Sequence, residues 1–194
     1  MIKTNIAREY PDHIKKYDCK DKSIYIADYT KQTQTKGRKG KGVRISIEPP
    51  TGIKCFSLLN DCGLRIGNIV FNNKSFISLS GTLSQCECVV FPDVAGDNSW
   101  IFFAELKYHD GKYNKENLKK AICQLYKTRT YYFQKGIFGI NNTCYLVASL
   151  PTQPVPFANF SLTQEKIQEI KRKHNVVLRL TNKAEIVDTK MITI

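Results

Sequence analysis

What this sequence lacks narrows it first. No stretch of its 194 residues approaches the roughly 20 consecutive apolar residues of a membrane-spanning helix. The opening Met1-Ile2-Lys3-Thr4-Asn5 has no apolar run of the secretory kind. A cytoplasmic chain without a membrane partner is therefore the expectation. Cysteine is present but unpaired in pattern: Cys19, Cys55, Cys62, Cys86, Cys88, Cys123 and Cys144 are odd in number and scattered, as reduced thiols are. Structural zinc sites usually pair ligands across two to four intervening residues, a spacing that neither Cys55/Cys62 nor Cys86/Cys88 shows, so core thiols are expected. Acidic residues are few, 17 against 30 Lys and Arg. The resulting net charge of +13 favours nucleic acid, an anionic membrane or another acidic partner. Tryptophan occurs once, and no aromatic platform for reading bases is visible.

What is present suits one globular unit over 1–194: the length is that of one domain, and 42% of the residues are apolar. Residues 31–44 hold six cations and three glycines with almost nothing apolar, and read as a flexible basic loop. Such a loop is either a solvated connection or a clamp on phosphates, with Lys36, Arg38, Lys39, Lys41 and Arg44 as its candidate contacts. Before it, a short helix is expected at 12–17. After it, a short strand at 44–47 is stopped by Pro49-Pro50, and 55–64 suits helix or strand equally. Ile69-Val70-Phe71, a turn at 72–74 and a further strand at 76–79 follow.

Two stronger strands are then predicted, Cys86–Phe91 and Trp100–Lys107, joined through a Gly-Asp-Asn cluster into a hairpin. A helix over 115–134 carries an apolar stripe of Leu118, Ala121, Ile122, Leu125, Tyr132 and Phe133, closed by Gly136. Cys144–Ser149 is a compact apolar strand. Residues 163–173 form a second amphipathic helix capped by Ser161 or Thr163, and Val176–Leu180 reads as the last strand. The order is α/β, with an antiparallel hairpin feeding a helix and later strands joining in parallel.

The chemistry concentrates on the hairpin. Strand side chains alternate, so Glu105 and Lys107 share a face at the end of an apolar strand. Alone, this is an edge ion pair of little worth. Folding the hairpin about Gly96 sets Glu87 opposite Glu105, where both carboxylates reach one divalent cation; a register one residue away, which a loop of this length also allows, turns Glu87 to the other face. Asp93 is the alternative second acid, but it lies near the turn, about 20 Å from the level of Glu105. Glu87 and Glu105, with the Leu106 backbone carbonyl, would hold Mg2+ or Mn2+, which activates water and offsets charge on a scissile phosphate. Lys107 would orient that water or stabilise the transition state. On the helix, Lys120, Gln124, Lys127 and Tyr131 fall on one flank, either as a solvated polar face or as phosphate contacts with Gln124 steadying the water.

Taken together, Gln85–Phe91, Trp100–Lys107 and Asn117–Leu125 resemble the PD-(D/E)xK nuclease superfamily over about 40 residues, Gln85 to Leu125. The resemblance implies a restriction-endonuclease-like central mixed β-sheet flanked by helices, and a magnesium-dependent endonuclease acting on DNA or sometimes RNA. It also implies a site of one hairpin acid, a Glu-x-Lys and a helix glutamine. The sequence departs from it in placing Glu87 where aspartate is usual. An early-helix acid has no clear counterpart, with Glu9, Glu48 and Asp61 all open. A non-catalytic nucleic-acid-binding module and a regulatory subunit of a homodimer or larger complex are the competing readings.

Overall fold

Strands apolar at every position belong inside a sheet covered on both faces, and the two strongest predicted strands lie there. The computed structural model describes residues 1–29, 42–108, 113–155, 157 and 164–194. The helices are α1 (Ile2–Glu9), α2 (Pro11–Ile14), α3 (Asn114–Gln134) and α4 (Gln164–His174). The strands are β1 (Tyr17–Lys20), β2 (Ile24–Asp28), β3 (Val43–Ser46), β4 (Phe56–Leu59), β5 (Ile66–Val70), β6 (Ile77–Ser78), β7 (Gly81–Thr82), β8 (Cys88–Pro92), β9 (Ile101–Leu106), β10 (Cys144–Ser149), β11 (Val176–Leu180), β12 (Lys183–Ile186) and β13 (Ile192–Thr193).

The chain is mixed α/β, built on a six-stranded sheet in the order β1-β5-β8-β9-β10-β11. β8 and β9 form the antiparallel hairpin, while β10 runs parallel to both β9 and β11. Alternation on β9 divides its side chains between two cores. Ile101 and Phe103 join the helix-side core with Leu118, Ala121 and Leu125 of α3, and Phe102, Ala104 and Leu106 join the other. Each fully buried side chain of this kind contributes on the order of 1.5–3 kcal/mol.

Among the described residues, helices cover only one face of this sheet. The other is covered by a second sheet, β13-β12-β4-β2-β3, which packs Ile24, Ile26, Phe56, Leu58 and Ile186 against the first. The central mixed sheet matches expectation, with a second sheet on the face where further helices were expected; Val176–Leu180 is not the last strand, since β12 and β13 follow it. Residues 55–64 resolve to a strand, β4, and α1 was not foreseen. On α3, Thr128 takes the buried place expected of Phe133, which is 36% exposed and covered by the Arg129 guanidinium. Gly136, at φ 63°, supplies the left-handed turn that ends α3. Most of the basic loop, including Lys36, Arg38, Lys39 and Lys41, lies outside the described residues, as do Ser161 and Thr163.

Candidate active site at the hairpin end

The hairpin holds the expected register from Val90↔Phe102 to Cys88↔Ala104. One residue further it breaks phase. Cys86 and Val89 both lie in the helix-side core, while Cys88 and Val90 lie in the other. An extra residue at Glu87–Cys88 accounts for this, as in a β-bulge, a device that re-aims a side chain beside a site. Glu87 is held there by its backbone: its N–H donates to the Ala104 carbonyl (3.0 Å), and its carbonyl accepts from Phe71 (2.8 Å). It therefore sits at the rim between layers rather than squarely across a flat ladder from Glu105.

Helix α3 clamps the segment just before it. The Cys86 N–H donates to Thr128 Oγ1 (2.8 Å), and Gln124 Nε2 donates to the Gln85 carbonyl (2.7 Å). The other end of the Gln124 amide accepts from Lys107 Nζ (2.9 Å), which also donates to Glu105 Oε1 (2.5 Å). Glu105, Lys107, Gln124 and the Glu87 strand are thus joined through one ammonium and one amide. The Leu106 side chain enters the inter-sheet core, and the residue lines the same cavity as Lys107 and Glu87.

Glu105 is fully buried, and among the described residues its Oε2 has no hydrogen-bond partner. Burial pushes its carboxyl up to about 7, against the opposing pull of Lys107. Glu87 opens onto cavities but is embedded deeply enough that desolvation, with the charges of Glu105 and Asp28, holds it well above the usual carboxylate range. Two such groups are stable together only with a proton or a cation between them.

Asp28, at the end of β2 in the second sheet, is the residue the sequence reading missed. It lines two cavities with Glu87, of about 590 and 230 Å³, and its charge acts on both glutamates. A signal was present: Ile24-Tyr-Ile-Ala-Asp28 repeats the pattern of Ile101-Phe-Phe-Ala-Glu105, an apolar strand ending in an acid. Glu9, Glu48 and Asp61 line neither cavity. Lys16 lines the larger of the two, and Lys120 and Asn117 line the smaller beside Lys107.

The remaining candidates fall at varying distance from this centre. Asp93 is committed elsewhere, bound by Lys3 (3.2 Å), Arg65 (3.0 Å) and the Tyr17 hydroxyl. Arg44 lies on β3 opposite Ala27, one residue from Asp28, with its guanidinium over the Tyr29 ring at 4.9 Å. Lys127 is exposed on α3. All seven cysteines are free. Among the described residues no three His, Cys, Asp or Glu side chains form a ready-made metal cluster, and no helix is long and apolar enough to cross a membrane. No known protein family, curated protein or solved structure matches the chain.

Proposed function

We propose that the protein is a divalent-metal-dependent nuclease of restriction-endonuclease-like fold, hydrolysing phosphodiester bonds, with DNA as its first expected substrate. The observation that carries this reading is the fully buried Glu105 carboxylate, with one oxygen bound by Lys107 and the other without a hydrogen-bond partner among the described residues, beside a second carboxylate that burial and charge also disfavour. An antiparallel hairpin followed by a helix and a parallel strand supports the fold assignment.

The donors suit Mg2+ or Mn2+: oxygen ligands only, and two carboxylates with the Leu106 carbonyl leave places for water, as magnesium requires. When bound, such a cation offsets the paired carboxylate charge and makes water a better nucleophile at neutral pH. The protein's own groups do the rest. Gln124 and Glu105 fix the Lys107 ammonium where charge grows on the phosphate oxygens, so little reorganisation is needed during reaction. Lys120 and Lys16 draw the phosphate into the cavities. Water adds to phosphorus, one P–O ester bond breaks, and the products are a phosphomonoester and an alcohol.

The test is incubation of supercoiled plasmid, linear duplex and single-stranded RNA with the protein in Mg2+, Mn2+ or EDTA. Metal-dependent cleavage that disappears in Lys107→Ala supports the reading. No cleavage of any substrate by the wild type contradicts it and favours a binding module that keeps the fold without the activity. That second reading draws on the lack of a three-ligand metal cluster among the described residues.

A further inference from the structure

Neighbouring cavities extend the candidate site along α3 in a direction the hairpin chemistry does not use. Glu87 and Gln124 line a cavity of about 260 Å³ together with Leu83, Ser84 and Gln85. Leu83 also lines the next cavity, of about 510 Å³, with Tyr10, Phe76, Tyr131, Gln134 and Lys135. Lys120, Gln124, Lys127, Tyr131 and Gln134 recur at three- and four-residue spacing, so they fall on one flank of the helix. From Lys120 to Lys135 that flank runs about 22 Å.

The far cavity is aromatic at one side and polar at the other. Tyr131 rests on Phe76, with ring centroids 5.1 Å apart. Tyr10 is fixed by stacking on buried His13 at 4.7 Å, and His13 is itself pinned by the Tyr132 hydroxyl and the Ser75 carbonyl, both at 2.9 Å. These rings are held by the core before any ligand arrives. The Gln134 amide and the Glu9 carboxylate supply donors and an acceptor at the margin. Exposed Ile77, on the small β6–β7 hairpin, adds apolar surface to the same cavity.

We propose that this groove binds single-stranded nucleic acid, its backbone following the lysines of α3 and one unstacked base entering the aromatic cavity against Tyr131 and Tyr10. The proposal names the substrate class of the site described above and rests on the nucleic-acid part of that reading. Base–aromatic stacking tolerates any base, and a positively charged track beside fixed rings is the general means of holding a single strand. A duplex keeps its bases stacked and would have to unpair and extrude one to fill the same cavity. The net charge of +13 and the shared lining residues argue against an apolar peptide as the occupant.

The test is fluorescence anisotropy in EDTA with labelled 12-nucleotide oligothymidine, its oligouridine counterpart and a duplex of equal length. At least one single strand is expected to bind about tenfold or more tighter than the duplex. Tyr131→Ala should weaken that binding about tenfold, Tyr131→Phe by less than about twofold, and neither should alter duplex binding. Lys135→Gln, which removes the charge at an exposed position without setting a second carboxylate beside Glu9, 3.9 Å from the ammonium, should weaken single-strand binding and reduce its salt dependence. A duplex bound as tightly as both single strands would overturn the proposal. So would an unchanged single-strand Kd in folded Tyr131→Ala or, if that variant does not fold, in Lys135→Gln. Binding in EDTA involves no cleavage. Tyr131-dependent capture without nuclease activity would leave the groove standing and remove the catalytic reading. Cleavage with an unchanged Kd in the variants would do the reverse.

Discussion

Glu87 and Asp93 flank the two ends of one strand and are built into opposite surroundings. Asp93 is surrounded by what a carboxylate wants: two cations and a hydroxyl, which together hold its carboxyl below the ordinary range. It fastens α1 to the sheet through Lys3, and its charge is answered within the protein. Glu87 and Glu105 at the other end repel one another, are raised by burial, and share one lysine. A satisfied carboxylate marks structure. A carboxylate pair raised by burial and mutual charge is what the proposed divalent cation would relieve.

Substitution should separate the two ends. The largest effect is expected at Lys107, where alanine should lower cleavage by about 10²–10³-fold, the usual loss when one preorganised transition-state donor is removed. Rates on plasmid in Mg2+ would measure this. Glu87→Gln should lower cleavage by no more than that while raising Tm in EDTA, because it removes half-buried Glu87 from its repulsion with buried Glu105; a lowered Tm would show that Glu87 is structural. Asp93→Ala should do the opposite, costing about 2 kcal/mol of stability through lost charge-assisted hydrogen bonds. That is a fall of about 4–8 °C in Tm for a chain of this size, with cleavage retained below the transition.

The pH dependence sharpens the contrast. Glu105 rises from an ordinary 4.5 to about 7 in the folded protein. Between these values the folded state keeps a proton the unfolded chain has released. This group's contribution to stability is therefore complete below about pH 4.5, declines as pH rises and is gone above about pH 7. Urea midpoints in EDTA should show that decline in the wild type and a shallower one in Glu105→Gln, where Glu87 alone remains raised, and saturating Mn2+ should oppose it. The smallest effect is expected at Lys120, where alanine should weaken nucleic-acid binding across sequences and reduce the salt slope by about one.

Much of the hairpin was legible in the sequence. Period-two alternation and the Gly-Asp-Asn turn are local and gave the hairpin itself; the register about Gly96 was one of the pairings such a loop allows, and it holds from Val90 to Cys88. The pairing of Glu105 with Lys107 follows from strand periodicity, whereas helix spacing put Gln124 only on a polar flank, the resemblance implied its place in a site, and its reach to Lys107 is a tertiary contact. The phase break at Glu87 was not legible, because an extra residue leaves no mark on an alternating pattern. Asp28 was missed for a different reason. Its strand belongs to a second sheet assembled across the chain, with Lys183 of β12 beside Ser57 of β4, and local patterning does not report such distant pairing. The aromatic cavity likewise gathers Tyr10, Phe76 and Tyr131 from three separate segments.

The central claim is that Glu87 and Glu105 together take a divalent cation, and a crystal soaked in Mn2+ tests it most directly. The account predicts an anomalous peak between the two carboxylates, within coordination distance of both and of the Leu106 carbonyl. A peak elsewhere, or none at saturating Mn2+, would contradict it.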